Sequence, residues 1–144
     1  MERRSFLRLA GVGVLSAAGG PAATALAATT KETTDMFSAA YLVKRKSGMS
    51  YEDYSRHQAE VHVPMAHALP GLRSYRYIDF PPMEGEDQMF DGLALVEFDD
   101  KAAHDAALAS EAGQSALADL PTYLDTDAMR VLAGSTVSRK DAFA

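Results

Sequence analysis

The sequence contains neither cysteine nor tryptophan, and it has no excess of basic residues. Without cysteine the chain needs no disulfide in an oxidising compartment, and it has no thiol nucleophile and no cysteine for lipid anchoring. Its 14 Lys and Arg residues against 20 Asp and Glu give a formal net charge of −6. An acidic chain without a basic stripe argues against nucleic acid and anionic membrane surfaces as partners.

The sequence also lacks a phosphate-binding loop, a nucleotide-binding glycine motif and a serine-nucleophile motif. What it does have is 144 residues with 47% hydrophobic content. That length and composition are typical of one globular domain, which can bury a hydrophobic core without disulfide bonds.

The N-terminal segment has the pattern of an export signal. Arg3-Arg4 precedes Ser5-Phe6-Leu7 and a modestly apolar stretch, and Ala25-Leu26-Ala27 ends the segment with small residues. A basic start, a short apolar middle and a small-residue end predict a signal peptide over residues 1–27, and the paired arginines favour the twin-arginine route. The stretch is too short and too rich in Gly and Ala to span a membrane. We therefore expect an exported protein, periplasmic or secreted, without stable membrane insertion after cleavage.

The rest of the chain predicts one folded domain between two polar ends. Residues 28–35 are small and polar and indicate a flexible mature N-terminus, residues 36–134 carry the periodic pattern, and residues 135–144 form a polar tail. Alternating apolar positions and capping residues predict strands over 37–46, 72–80, 93–98 and 128–133, and helices from Ser50, from Asp99 or Asp100 through Leu108, and over 110–124. Pro64 should kink or end the first helix.

This order of elements predicts an α+β class, the ferredoxin-like βαββαβ fold with an antiparallel sheet and helices on one face. The other sheet face is also apolar, because Leu93, Ala94, Leu95 and Val96 run without a polar interruption. An apolar face of this kind is covered either by a second copy of the chain or by the chain's own tail. We favour the second copy, which predicts a homodimer with a barrel between two facing sheets.

Residues 41–77 resemble the EthD family. The shared features are a strand ending in basic residues, Gly48-Met49-Ser50, His62-Val63-Pro64, Pro70-Gly71-Leu72 and a following strand that carries Tyr75. The resemblance implies a dimeric α/β barrel, a superfamily with cofactor-free monooxygenases, isomerases, polyketide dehydratases and haem-using members. It is similar in particular to the methylmuconolactone methylisomerase branch, which implies a catalytic role for His62 and Tyr75. The reactive cysteine of that branch would fall near Val96, so the same isomerase chemistry is in doubt.

The residues themselves also make His62 the first candidate for chemistry, because an imidazole exchanges a proton near neutral pH. The alternative is a boundary histidine that bonds a carbonyl. Tyr75, Tyr77 and Tyr41 are candidates for binding an oxygenated aromatic or lactone-like ligand, with sheet packing as the alternative. Arg73 is a candidate for binding a carboxylate, and surface charge is its alternative.

We predict no metal site. On a regular helix His57 and His62 lie about 140° apart, Pro64 separates His67 from both, and His104 is expected to face solvent. The sequence therefore favours a cofactor-free enzyme of isomerase, dehydratase or oxidoreductase type. Its substrate would be a small hydrophobic oxygenated molecule, with His62 moving a proton. The alternatives are a non-catalytic small-molecule carrier and a haem-binding barrel with a histidine ligand.

Overall fold

The computed structural model describes residues 35–137. The predicted signal peptide, most of the predicted flexible segment and the end of the predicted tail lie outside this range. The elements are β1 (Phe37–Val43), α1 (Tyr51–His57), a π-helical turn (Gln58–His62), α2 (Val63–His67), β2 (Ser74–Asp79), β3 (Gly92–Phe98), α3 (Lys101–Ala109), α4 (Glu111–Tyr123) and β4 (Arg130–Ser135). Within the described part of the chain, no helix is long and apolar enough to cross a bilayer.

The four strands form one antiparallel sheet in the order β2-β3-β1-β4. This order, with two helical segments crossing from β1 to β2 and from β3 to β4, is the ferredoxin-like fold, and the predicted fold class is confirmed. β1 ends at Val43, earlier than expected, and Arg45 forms an isolated bridge with Leu124. β4 extends through Ser135, which the sequence had assigned to the polar tail.

Helices α1, α3 and α4 each begin at a side-chain cap. The hydroxyls of Ser50 and Ser110 and the carboxylate of Asp100 accept hydrogen bonds from backbone N–H groups three residues ahead. Such caps satisfy donors that have no partner inside the helix, so they fix where each helix starts. The predictions for Ser50 and for the alternative Asp100 are thereby confirmed.

The first helix does not end at Pro64. It continues to His67, and the change in its winding lies just before the proline, where the Val63 N–H donates to the Gln58 carbonyl five residues back. A proline ring inside a regular helix crowds the carbonyl four residues earlier and has no N–H to donate. The wider π turn accommodates both effects, so α1 and α2 form one continuous helical segment.

The side chains on the helix-facing side of the sheet form two core clusters. One is built on Ala39, Val96, Phe98 and Ala107, and the other on Val43, Tyr54, Tyr123 and Leu124. Tyr41 packs against both. In the register of the sheet, Ala94 lies between Tyr41 and Tyr77. A small residue between two large ones leaves a depression in the sheet surface, and this depression underlies the site described next.

Candidate functional site

A pocket lies between the sheet and the helices, where the two core clusters meet. It contains about 620 Å³ of space without protein atoms, counted out to the solvent at its mouth. The part of this space that a water-sized group can occupy is about 70 Å³. Pockets that hold small molecules are lined mainly by apolar groups with a few polar atoms. The polar side chains among its described lining residues are those of Tyr41, Gln58, His62, Tyr75, Tyr77, His104 and Tyr123.

His62 enters the pocket wall from the π turn and is held by Asp119 of α4. Its Nδ1 lies 3.0 Å from Asp119 Oδ2. His57, five residues earlier, also contacts this carboxylate, with Nε2 at 2.9 Å from Oδ1 and 3.1 Å from Oδ2. A π turn joins residue i to residue i+5 and so brings residues five apart to the same side of the helix. The expectation that His57 and His62 point in different directions was wrong for this reason.

The shared carboxylate determines which nitrogen of His62 carries a proton. An ionised carboxylate only accepts hydrogen bonds, so the Nδ1–H of His62 donates to Asp119 and Nε2 of the neutral ring keeps its lone pair. Burial lowers the pKa of His62, although the contact with Asp119 acts in the opposite direction. Burial alone would raise the pKa of Asp119, but hydrogen bonds from His62 and His57 bring it below the usual range. His62 is therefore a neutral base at physiological pH, and it lines the pocket.

Tyr75 is the second predicted catalytic residue, and a buried amide orients its hydroxyl. The Tyr123 hydroxyl donates to Gln58 Oε1 at 2.5 Å, and Gln58 Nε2 donates to the Tyr75 oxygen at 3.2 Å. Gln58 is only 3% exposed. Because the amide supplies the donor, the proton of Tyr75 remains available to the pocket. Burial raises the pKa of Tyr75 to about 12, so the hydroxyl stays protonated and donates.

Tyr77 lines the same pocket, but its hydroxyl is already paired with the hydroxyl of Tyr54. Burial raises the pKa of both phenols. The pair lies directly over Gly92, where any Cβ atom would overlap the Tyr77 oxygen and come within 2.6 Å of the Tyr54 oxygen. The ring of Tyr77 therefore forms part of the wall, while its hydroxyl bonds within the protein.

Tyr41 and His104 form a third polar contact in the pocket. The Tyr41 hydroxyl lies 2.8 Å from His104 Nε2, and His104 Nδ1 lies 3.0 Å from Asp105 Oδ1. His104 is 8% exposed and packs against the rings of Phe37 and Phe98. The expectation of a solvated His104 was wrong, because the start of α3 turns this position inward over the sheet.

The structure does not bring Arg73 to the pocket. Its guanidinium is exposed and forms two hydrogen bonds with Asp99, at 2.9 and 2.7 Å. Arg76 is exposed on β2, on the opposite side of the sheet from Tyr75 and Tyr77. Four of the five predicted site residues thus share one pocket, and Arg73 lies apart from them.

The sequence analysis did not select Gln58, Asp119 or Tyr123. Asp119 and Tyr123 are four positions apart on α4, so they lie on one helix face. That spacing was visible in the sequence, but nothing local shows that this face meets His57 and His62. Within residues 35–137, no group of three histidine, aspartate or glutamate side chains is arranged as a metal-ligand set.

Most residues of this pocket lie within a segment that matches a known protein family. The model of the EthD domain matches residues 46–127, which include His62, Tyr75 and Asp119. The chain belongs to the EthD family. A comparison with curated protein sequences finds no match.

Solved structures share the fold of this EthD-family chain. An EthD family protein from Bacillus halodurans has a TM-score of 0.61 at 16% identity, covering 71% of this chain and 99% of that one. A dimeric ferredoxin-like protein of unknown function from Thermobifida fusca has a TM-score of 0.57 at 14% identity, covering 71% and 92%. A second such dimeric protein, from Jannaschia, has a TM-score of 0.54 at 22% identity, covering 70% and 99%. At these identities the likeness concerns the fold.

Proposed function

We propose that this EthD-family protein is an exported, cofactor-free enzyme that moves a proton on a small hydrophobic oxygenated molecule. His62 takes or returns the proton, and Tyr75 holds an oxygen of the substrate. Isomerase, dehydratase and oxidoreductase chemistry all contain such a step. The export part of the proposal rests on the twin-arginine pattern in residues 1–27.

One observation carries the catalytic proposal: the contact between His62 Nδ1 and Asp119 Oδ2. A histidine whose Nδ1–H is held by a carboxylate is fixed in ring orientation and in tautomer, and its imidazolium form is stabilised when it accepts a proton. His57 holds Asp119 from the other side and stacks on Tyr123 at 4.4 Å between ring centroids. A boundary histidine with a purely structural role would not need a carboxylate with this much support.

The composition of the pocket supports the substrate class. Val43, Ala94, Val96, Phe98 and Leu120 give it an apolar lining. A substrate that fills such a site gains most of its binding free energy from apolar contact, roughly 25 cal/mol per Å² of apolar surface buried. Tyr75 supplies a hydroxyl that donates to a carbonyl, ether or lactone oxygen. These features favour a compact, largely apolar molecule with one or two oxygen atoms.

A homodimer is the assembly that we propose. The sheet face away from the helices carries Leu93, Leu95 and Leu42, with the exposed side chains of Ile78 and Leu132 on the neighbouring strands. A contiguous apolar face of this kind marks an interface. The Thermobifida and Jannaschia proteins, which share this fold, are dimeric.

The proposal is tested first by native mass spectrometry on protein recovered from the exported fraction, followed by screening of small phenols, ketones and lactones for conversion. Recovery there should fail when Arg3 and Arg4 are both replaced by Lys. For a converted compound, we expect His62→Gln to reduce turnover by about 100-fold or more, the usual contribution of a general base. The matched control is Val61→Gln, which introduces the same side chain at the neighbouring, exposed position of the same helical segment.

The screen also separates the alternative functions. Conversion that is unchanged in His62→Gln would overturn the catalytic role of His62. Tight binding without conversion of any bound compound would favour a carrier. A Soret band after haem addition, lost in His62→Gln, would favour the haem-binding alternative.

A further inference from the structure

The contact between Tyr41 and His104 is not used by the function proposed above. It joins β1 to α3, two elements that do not carry His62 or Asp119. The Tyr41 oxygen and His104 Nε2 are 2.8 Å apart, and both side chains line the same pocket as His62. The pocket thus holds two separate histidine centres, each with a carboxylate on Nδ1.

The direction of the hydrogen bonds follows from Asp105. Its carboxylate accepts, so His104 Nδ1–H donates to it, and Nε2 of the neutral ring must accept the proton of Tyr41. When His104 carries two protons, the bond reverses, and the Tyr41 proton can turn towards the pocket. The rings of Phe37 and Phe98, at 5.0 and 5.4 Å from His104, hold the imidazole in place in both states. Burial raises the pKa of Tyr41, so the phenol stays protonated in both states of His104.

We propose that Tyr41 is a second acid–base residue of this pocket, positioned by His104 and Asp105, and that the substrate class is an enolisable carbonyl compound. This inference rests on the proposed function, because it assigns the residue that protonates the substrate oxygen while His62 removes a proton from carbon. Tyr41 contacts the substrate oxygen and is the catalytic residue. His104 and Asp105 act through it as positioning residues.

The step balances without a cofactor. His62 Nε2 takes a proton from the carbon next to the carbonyl, and the electron pair of that C–H bond forms a C=C bond. The step requires that His104 has first taken a second proton from solvent. The π pair of the C=O bond moves to oxygen, which takes the proton of Tyr41, and Tyr41 takes the Nε2 proton of the His104 imidazolium. His62 ends protonated and His104 neutral, and the product is the enol. Where a further C=C bond is conjugated with the enol, return of a proton to its far carbon would complete an isomerisation.

Simple packing does not account for this arrangement. A tyrosine on a sheet packs equally well against an apolar helix residue, whereas a buried histidine costs free energy unless both ring nitrogens are satisfied. Here one nitrogen is satisfied by a hydroxyl at the pocket wall and the other by Asp105, which is half exposed. This places a path for protons between the pocket and the solvent-facing side of α3.

The experiment uses 2-tetralone, an enolisable cyclic ketone with a fused aromatic ring, as probe. Exchange of its α-protons for deuterium in heavy water is followed by NMR with the full-length protein. We expect wild type to accelerate exchange above the buffer rate, and Tyr41→Phe to reduce this acceleration by about 100-fold. Tyr41→Phe keeps the ring and its packing, and a thermal melt verifies folding.

Asp105→Asn tests positioning separately, since Asp105 is exposed and does not line the pocket. We expect it to leave the affinity for 2-tetralone, measured by saturation-transfer NMR, within about twofold while exchange slows by about tenfold or more. Lys101→Ala is the matched control. It removes the other partner of Asp105, at 2.5 Å, without touching His104, and should exchange at the wild-type rate.

The outcomes distinguish the two proposals. Exchange lost in His62→Gln but unchanged in both Tyr41→Phe and Asp105→Asn would overturn the second centre and leave the proposed function intact. Exchange lost in all three variants supports both. A wild-type protein that binds 2-tetralone without accelerating exchange, or that does not bind it, overturns the enolisable-carbonyl class.

Discussion

At the residue scale, the chemistry of the site depends on two carboxylates that accept hydrogen bonds from the pocket histidines His62 and His104. Asp119 is largely buried beside His62 and His57, while Asp105 lies at the surface beside His104. A buried carboxylate interacts more strongly with its partners than an exposed one, because solvent screens it less. The His62 centre is therefore the more rigid of the two, and its protonation is coupled to the stability of the fold.

This coupling predicts an acid-sensitive fold. Burial lowers the folded-state pKa of His62 below the usual 6.5, so the unfolded chain binds more protons than the native one between these two values. Stability from this group is complete above pH 6.5 and falls as the pH drops towards the lowered pKa. The depressed pKa of Asp119 acts in the same direction at lower pH. Denaturant titrations from about pH 8 to about pH 5 should show the free energy of unfolding decreasing.

Replacement of the histidine provides the check. In His62→Gln the slope between about pH 7 and about pH 5 should become shallower, because a titrating group is removed. Val61→Gln changes an exposed position of the same helical segment that carries no titrating group, so it should keep the wild-type slope. Equal slopes in all three proteins would show that His62 does not carry the effect.

At the element scale, the sequence predicts more of the sheet than of the helical segments. Period-two alternation correctly placed Tyr75 and Tyr77 on one face, and the capping residues correctly located the helix starts. The relation between His57 and His62 could not be read from sequence, because it depends on a π turn that breaks the 100° rule. Arg73 failed to reach the pocket because Asp99, next to the end of β3, gives it a nearer partner.

The strand pair β2–β3 also yields a stability prediction at Gly92. A Cβ atom there would overlap the paired hydroxyls of Tyr54 and Tyr77, so Gly92→Ala must displace one of two buried rings. Overpacking of this kind costs about 1–3 kcal/mol, which lowers the melting temperature by roughly 4–8 °C per kcal/mol in a domain of this size.

Gly134→Ala is the control for this substitution. Gly134 lies in β4 with open space around its Cβ position, so the same chemical change meets no neighbour. Thermal melts followed by circular dichroism compare the two variants. A Gly92→Ala protein as stable as Gly134→Ala would mean that the two tyrosine side chains can move aside without any loss of thermal stability.

At the scale of the whole molecule, the outer sheet face is the surface that the proposed homodimer would bury. Leu132 of β4 is 63% exposed and lies on this face beside Ala40 in the register of the sheet. The sequence pattern predicted an apolar face but not that both sides of β4 would be exposed. This edge strand therefore extends the surface that a second copy would cover.

Leu132→Asp tests the homodimer. An unpaired carboxylate in an apolar interface costs several kcal/mol, so we expect the dissociation constant to rise on the order of 100-fold. Light scattering across a dilution series measures the molar mass. Met89→Asp, at a 76% exposed position of the β2–β3 loop, should remain dimeric. A wild-type protein that is monomeric throughout would contradict the homodimer.

The π turn between His57 and His62 has an evolutionary consequence. A π turn contains one residue more than the α-helical turn it replaces. It therefore corresponds to the insertion of a single codon into a gene segment that encodes a regular α-helix. The turn that lets the helix pass Pro64 also keeps both imidazoles on Asp119. Loss of that codon would leave the two histidines four positions apart on a regular helix, where they would still share one face. The extra residue of this helix is therefore needed for the passage of Pro64, and the π turn is what keeps the histidine pair together despite it.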